Sequence, residues 1–216
     1  TCALPISAEY FALDDKGRRA IGLPDVDTAA YTDINAKMVI ALSAAFEATG
    51  DARYRQRASE LMGTIVNLAR RDDGTYRQMM SAKSSQTRIR ALDTTESPIT
   101  YLRAQAFAGL GSLSLFAITG DLTWLDAANA AAETMLRELR DEDSGGLLSS
   151  NRPGTLPDGR TLRDQPVIDT GAGVDLLNRL AAFNAGQWSD RYALKAADLA
   201  AASERALRAE IGRAHV

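Results

Sequence analysis

Apolar residues recur along this chain at steps of three and four, and the pattern itself recurs. After "TGD" at residues 49–51 come Tyr54, Ala58, Leu61, Ile65 and Ala69. After "TGD" at residues 119–121 come Trp124, Ala128, Ala131, Met135 and Leu139, each seventy positions on. Arg55, Arg57, Glu60, Glu133, Arg137 and Glu138 fall on other faces, so each stretch predicts an amphipathic helix. Tyr192, Ala196, Leu199, Ser203 and Leu207 repeat the spacing sixty-eight positions further on, behind "NAGQWSD". Three copies of one spacing are an internal repeat.

A second predicted helix precedes each of these. "INAKMVIALSAAF", "TYLRAQAFAGLGSLSLF" and "GVDLLNRLAAF" are apolar around most of their circumference, which predicts burial in an interior. Tyr31 and Tyr101, and Phe46 and Phe116, keep the seventy-residue register. Between the paired helices, Gly50 and Gly120 suit the left-handed residue that ends a helix, and Asp51 and Asp121 suit the cap that starts the next. Each unit therefore reads as a buried helix, a tight turn and an outer helix. The connectors at 72–97 and 142–168 are long and rich in Gly, Ser, Pro, Asp and Arg, with "TYRQMM", "GLLSS" and "RTLRD" as candidate short strands. Long loops recurring at one point of each unit predict function or an ordered β-excursion. The period exceeds the ~34 to ~47 residues of common helical solenoids. The expected class is all-α, an (α/α) toroid of helical hairpins with about three of six hairpins present and small β-excursions in the long loops.

Three stretches carry a family resemblance: "YTDIN" at the start of a predicted inner helix, "DSGGLL" in the second connector, and "VIDTGAGVDLLNRLA" leading into a Leu-rich helix. Over roughly residues 8 to 205 the chain resembles the helical toroid of the thioredoxin-domain-containing DUF255 (YyaL) family, in the six-hairpin glycosidase-like group. The resemblance implies a carbohydrate-related function, sugar processing or binding, at the wide end where long loops and inner-helix starts gather. If the protein is an enzyme, it implies a glycoside hydrolase-like activity using Asp or Glu. It also implies an alternative: a non-catalytic helical scaffold that packs against an upstream thioredoxin-like domain or another protein.

Composition narrows the chemistry. With 45% hydrophobic and 25% charged residues among 216, the chain is an ordinary folded sequence. A net charge of -3 gives no reason to expect nucleic acid, and no apolar run reaches the ~20 residues of a membrane span. A cytoplasmic location is favoured. Cys2 and His215, one of each in the chain, lie at its two ends, inside "TCALPIS" and "EIGRAHV", which resemble translated sequencing-adaptor tails. Residues 1–6 and 210–216 are thus expected to be non-native tails around a toroid domain at 7–209 that has neither Cys nor His. No metal, cofactor, redox pair, cysteine nucleophile or histidine base is expected, nor the histidine-based chemistry of the sugar 2-epimerases built on related toroids.

At the wide end, the resemblance places Asp33, Glu96, Asp164 and Asp169 as candidate catalytic carboxylates. Two carboxylates flanking a sugar bond can serve as acid and base, or acid and nucleophile. Tyr31, Asn35, Tyr101 and Arg163 are candidate substrate-binding residues, with Tyr76, Arg88 and Arg90 nearby. The sequence offers plainer roles too. Asp33 and Asp169 suit helix caps, Ser97 and Pro98 suit a helix entry beside Glu96, Asp164 suits an exposed loop, and Tyr31 and Tyr101 suit packing. Gly109 and Gly111, inside an apolar helix, suit close helix contact.

Overall fold

The structure is a computed structural model that describes residues 8–21, 29–80, 98–152, 154–155, 159 and 161–214. Two short helices, α1 (Ala8–Ala12) and α2 (Asp15–Ile21), precede three helical hairpins. These are α3 (Thr32–Thr49) with α4 (Ala52–Ala69), α5 (Leu102–Thr119) with α6 (Leu122–Glu138), and α7 (Val167–Phe183) with α8 (Gln187–Ala214). Helices α3, α5 and α7 lie side by side with α5 in the middle, and each outer helix packs on its own inner partner. The fold is the expected all-α toroid, as an arc of three hairpins.

The two tight turns follow the same recipe. Gly50 and Gly120 both adopt φ 69°, a left-handed conformation that glycine alone takes without strain, and their N–H groups donate to Phe46 O and Phe116 O at 2.8 Å. Asp51 and Asp121 then accept from the backbone N–H of Arg53 and Thr123 at 3.0 Å, capping the outer helices.

The amphipathic stripes face the core. Ala58, Ile65 and Ala69 of α4, Ala128, Ala131 and Met135 of α6, and Tyr192, Ala196 and Leu199 of α8 are buried. Tyr54 and Leu207, at the ends of their stripes, are exposed instead. The expectation of interior burial for all three inner helices holds for α5 alone, which is buried on nearly every side because it has an inner neighbour on both flanks. Helices α3 and α7 each have one, and they leave Ile34, Met38, Val167 and Ile168 exposed. The glycines of α5 act as spacers. A Cβ at Gly109 would lie 2.5 Å from Leu176 Cδ2, and one at Gly111 would lie 3.4 Å from Ala36 O.

After each of the first two outer helices the chain doubles back in a small β-excursion. Arg70 bridges to Tyr76 and Tyr31 to Met79; Arg140 bridges to Leu147 and Tyr101 to Ser150. The repeat therefore extends into the loops, the second excursion being one residue longer. "TYRQMM" and "GLLSS" supply these bridges, and "RTLRD" supplies β2 (Thr161–Leu162), antiparallel to β1 (Gly154–Thr155). The first excursion is fastened to α5 by the buried Gln105. Its side-chain amide accepts from Tyr76 N–H at 3.0 Å and donates to Tyr76 O at 2.7 Å, as a neighbouring strand would.

Candidate functional site

The excursions deliver side chains to the mouth of the inner layer. Thr32 N–H donates to Gln78 O and Leu102 N–H donates to Ser149 O, both at 2.9 Å, so each loop crosses the start of its own unit's inner helix. Ser149 N–H in turn donates to Asp164 O at 2.7 Å, bringing in the last stretch before α7. A pocket of about 320 Å³ results, lined by Gln78, Tyr101, Arg103, Ser149, Asp164, Pro166 and Asp169.

At its base the three inner helices meet through charge. Arg103 Nε lies 3.2 Å from both carboxylate oxygens of Asp169 and 3.9 Å from Asp33 Oδ2. Asp33 and Asp169 are nearly buried, whereas the Arg103 side chain is half exposed. Asp33 also accepts from Lys37 Nζ at 3.2 Å and from Gln78 Nε2 at 2.9 Å, and the Lys37 ammonium sits 4.1 Å above the Phe107 ring. The two carboxylates share one guanidinium, so their facing oxygens lie no more than ~7 Å apart. Arg103 and not open space stands between them.

The sequence-derived candidates separate into groups. Tyr101, Asp164 and Asp169 line the pocket. Asp33 lies behind the wall, turned to Arg103. Neither Asp33 nor Asp169 caps its helix. Tyr31 and Pro166 hold those positions, and the two acids fall in the first turns, where the helix dipole favours them and their side chains are free to reach Arg103. Asn35 donates to Tyr31 O at 2.7 Å, within its own helix. Tyr31 pairs through its backbone with Met79. Pro98 lies ahead of the helix that begins at Leu102, so it is not that helix's first residue. Glu96, Ser97, Arg88 and Arg90 lie outside the described residues.

Arg163 turns away to a second cluster, in the "DSGG" turn. It donates to Asp141 Oδ1 and Asp143 Oδ2 at 2.5 Å, while Ser144 Oγ and Gln165 Nε2 donate to Asp141 Oδ2 at 2.8 Å. Burial pushes the Asp141 carboxyl upward, but these hydrogen bonds, the Asp143 N–H and the Arg163 charge outweigh it and hold the group below the usual carboxylate range. The cluster thus ties the turn that leads to Leu147 and Ser149 to the separate segment that carries Asp164.

Arg103, Gln78 and Ser149 are pocket residues that sequence reasoning missed. Arg103 had a signal: it sits seventy positions after Asp33 and two after Tyr101, a lone cation opening an apolar helix. Gln78 and Ser149 had none. A larger hollow of about 480 Å³ lies among the far ends of α3, α5 and α7, with Glu47 and Arg179 as its ionisable lining residues. Its polar lining, Ser43, Glu47, Ser114 and Arg179, stands away from the long loops, whereas the long-loop pocket gathers charged side chains of all three inner helices at its base and is the better candidate.

No family model matches the chain, and no curated protein matches it significantly. Solved structures do match in fold. A family 76 glycoside hydrolase from a bovine Bacteroides thetaiotaomicron strain superposes with a TM-score of 0.65 at 15% identity, covering 85% of this chain and 37% of that one. The cellobiose 2-epimerase of Spirochaeta thermophila gives 0.62 at 15% identity, over 81% and 43%. An inactive α-1,6-mannanase variant of Salegentibacter sp., in complex with α-1,6-mannotetrose, gives 0.61 at 17% identity, over 87% and 49%. These likenesses establish the fold, a toroid of α-helical hairpins, and the chain spans less than half the length of each of these structures.

Proposed function

We propose that the chain is a carbohydrate-related partial toroid whose long-loop pocket binds a saccharide. The observation that carries this reading is the convergence of Asp33, Arg103 and Asp169, one from each inner helix, on a pocket walled by Tyr101, Ser149 and Asp164. The sugar-processing enzymes that share the fold support it, including one holding a mannotetrose. In this reading Asp164 and Asp169 are the carboxylates placed for a sugar bond, Tyr101 offers a ring to a sugar face, and Asp33 and Arg163 position their neighbours. Tyr31 and Asn35 hold the start of the helix that carries Asp33, and Glu96 is a further carboxylate of the first connector.

The mannanase variant was made inactive by replacing two adjacent aspartates. The adjacent pairs described here, Asp14–Asp15 and Asp72–Asp73, are absent from the pocket lining, and Asp73 is engaged in holding Thr75. Sugar binding is therefore the better supported role, with hydrolysis dependent on Asp164 and Asp169. Titration of the 216-residue chain with neutral oligosaccharides, followed by amide chemical shifts, should perturb Tyr101, Arg103, Ser149 and Asp164 and leave Ile40 and Ala44 unmoved. An unchanged spectrum at millimolar sugar would sink the reading.

A second reading, a helical scaffold for a thioredoxin-like domain or other protein, is favoured by the exposed Ile34, Met38, Val167 and Ile168 on the open flanks of α3 and α7. Light scattering decides its weight: a monodisperse monomer at high concentration would count against it.

A further inference from the structure

We propose that Arg103 is the ligand anchor of the long-loop pocket and that its ligand is a neutral saccharide, gripped through adjacent hydroxyls, in preference to an acidic or phosphorylated sugar. This rests on the saccharide reading above. Arg103 is held from one edge: Nε faces both oxygens of Asp169 at 3.2 Å, with Asp33 behind at 3.9 Å. Its two Nη groups make no hydrogen bond among the described residues, and the side chain is half exposed on the pocket wall. A guanidinium clamped at Nε presents a preorganised pair of donors.

The charges around it select the ligand. Asp33 is offset by Lys37 at 3.2 Å and Asp169 by Arg103 at 3.2 Å. Asp164 lines the same pocket, exposed, with its side chain making no hydrogen bond or ion pair among the described residues, so the wall carries one negative charge in excess. A ligand carboxylate or phosphate would compete with Asp169 for Arg103 and face Asp164 at like charge. A vicinal pair of hydroxyls meets neither penalty. Each hydroxyl can accept from an Arg103 Nη and donate to Asp164, because it is donor and acceptor at once.

Calorimetric titration of the 216-residue chain with neutral mannan- and cellulose-derived oligosaccharides and with oligogalacturonides of equal length tests this. The neutral series should bind at least about tenfold more tightly than the acidic one at low salt, and Arg103→Lys or Arg103→Gln should weaken neutral binding about tenfold or more. Asp164→Asn, which leaves the helix contacts intact, should narrow the difference by raising oligogalacturonide affinity, and this holds even if the Arg103 variants fail to fold. Tighter binding of the acidic series, or neutral binding indifferent to folded Arg103 variants, overturns the anchor while leaving a saccharide pocket. Absence of binding to either series overturns the saccharide reading itself and the anchor with it.

Discussion

The two ends of the hairpins are built on opposite plans. At the short-turn end one device is used twice, a left-handed glycine followed by a capping aspartate, with the same φ and the same bond lengths at Gly50–Asp51 and Gly120–Asp121. At the long-loop end the register is kept but the residues are not. Asp33 and Arg103 occupy equivalent positions two residues after Tyr31 and Tyr101, and Asp169 occupies the first turn of α7. A faithful repeat would set like charges against one another around the pocket. The arginine in the middle copy turns that repulsion into an Asp–Arg–Asp chain, so a symmetric frame carries an asymmetric site.

The contrast can be pressed by substitution. The largest effect belongs to the loop end, where Gln105→Ala strips the buried Tyr76 N–H and C=O of their partners; urea unfolding should show a loss of about 3 kcal/mol. Asp141→Asn comes next, at about 2 kcal/mol near neutral pH, since it weakens the grip on Arg163, Ser144 and Gln165. Because the Asp141 carboxyl is held low in the folded state, its contribution is complete above the unfolded value of ~3.9 and is lost as pH falls through the folded one. Acid unfolding below about pH 4 should therefore be shallower in the variant than in the parent.

At the closed end the effects shrink. Nothing lies within 4 Å of a Cβ added at Gly120, so Gly120→Ala costs only the strain of its positive φ, about 1 kcal/mol, read as a fall of about 2–4 °C in melting temperature. Asp121→Asn should be smallest of all, within about 1 °C, because asparagine caps a helix as well as aspartate does. A large response there would show that the charge and not the hydrogen bond to Thr123 N–H holds the turn.

What the sequence made legible follows the same division. The hairpins, their period and both turns depend on residues a few positions apart, and local spacing carries that information. The loop end was legible in outline: Asp33, Asp164, Asp169 and Tyr101 do gather there, because they flank the starts of inner helices whose register was known. Their individual roles were not. Asp33 and Asp169 read as caps until a partner sixty-six to seventy residues away is seen. Gln78 reaches Asp33 only because Met79 pairs with Tyr31, a contact between segments that no periodicity announces. The burial of α5, but not of α3 and α7, depends on how many neighbours each helix has, which an apolar composition shared by all three cannot specify.

The Asp33–Arg103–Asp169 chain also orders events in time. Each hairpin closes through contacts between residues adjacent in sequence, which form fast, whereas the three charges join helices separated by long stretches of chain and bear the full cost of closing those loops. The hairpins can thus exist before the pocket does. During refolding, far-ultraviolet circular dichroism should recover ahead of any signal from the pocket.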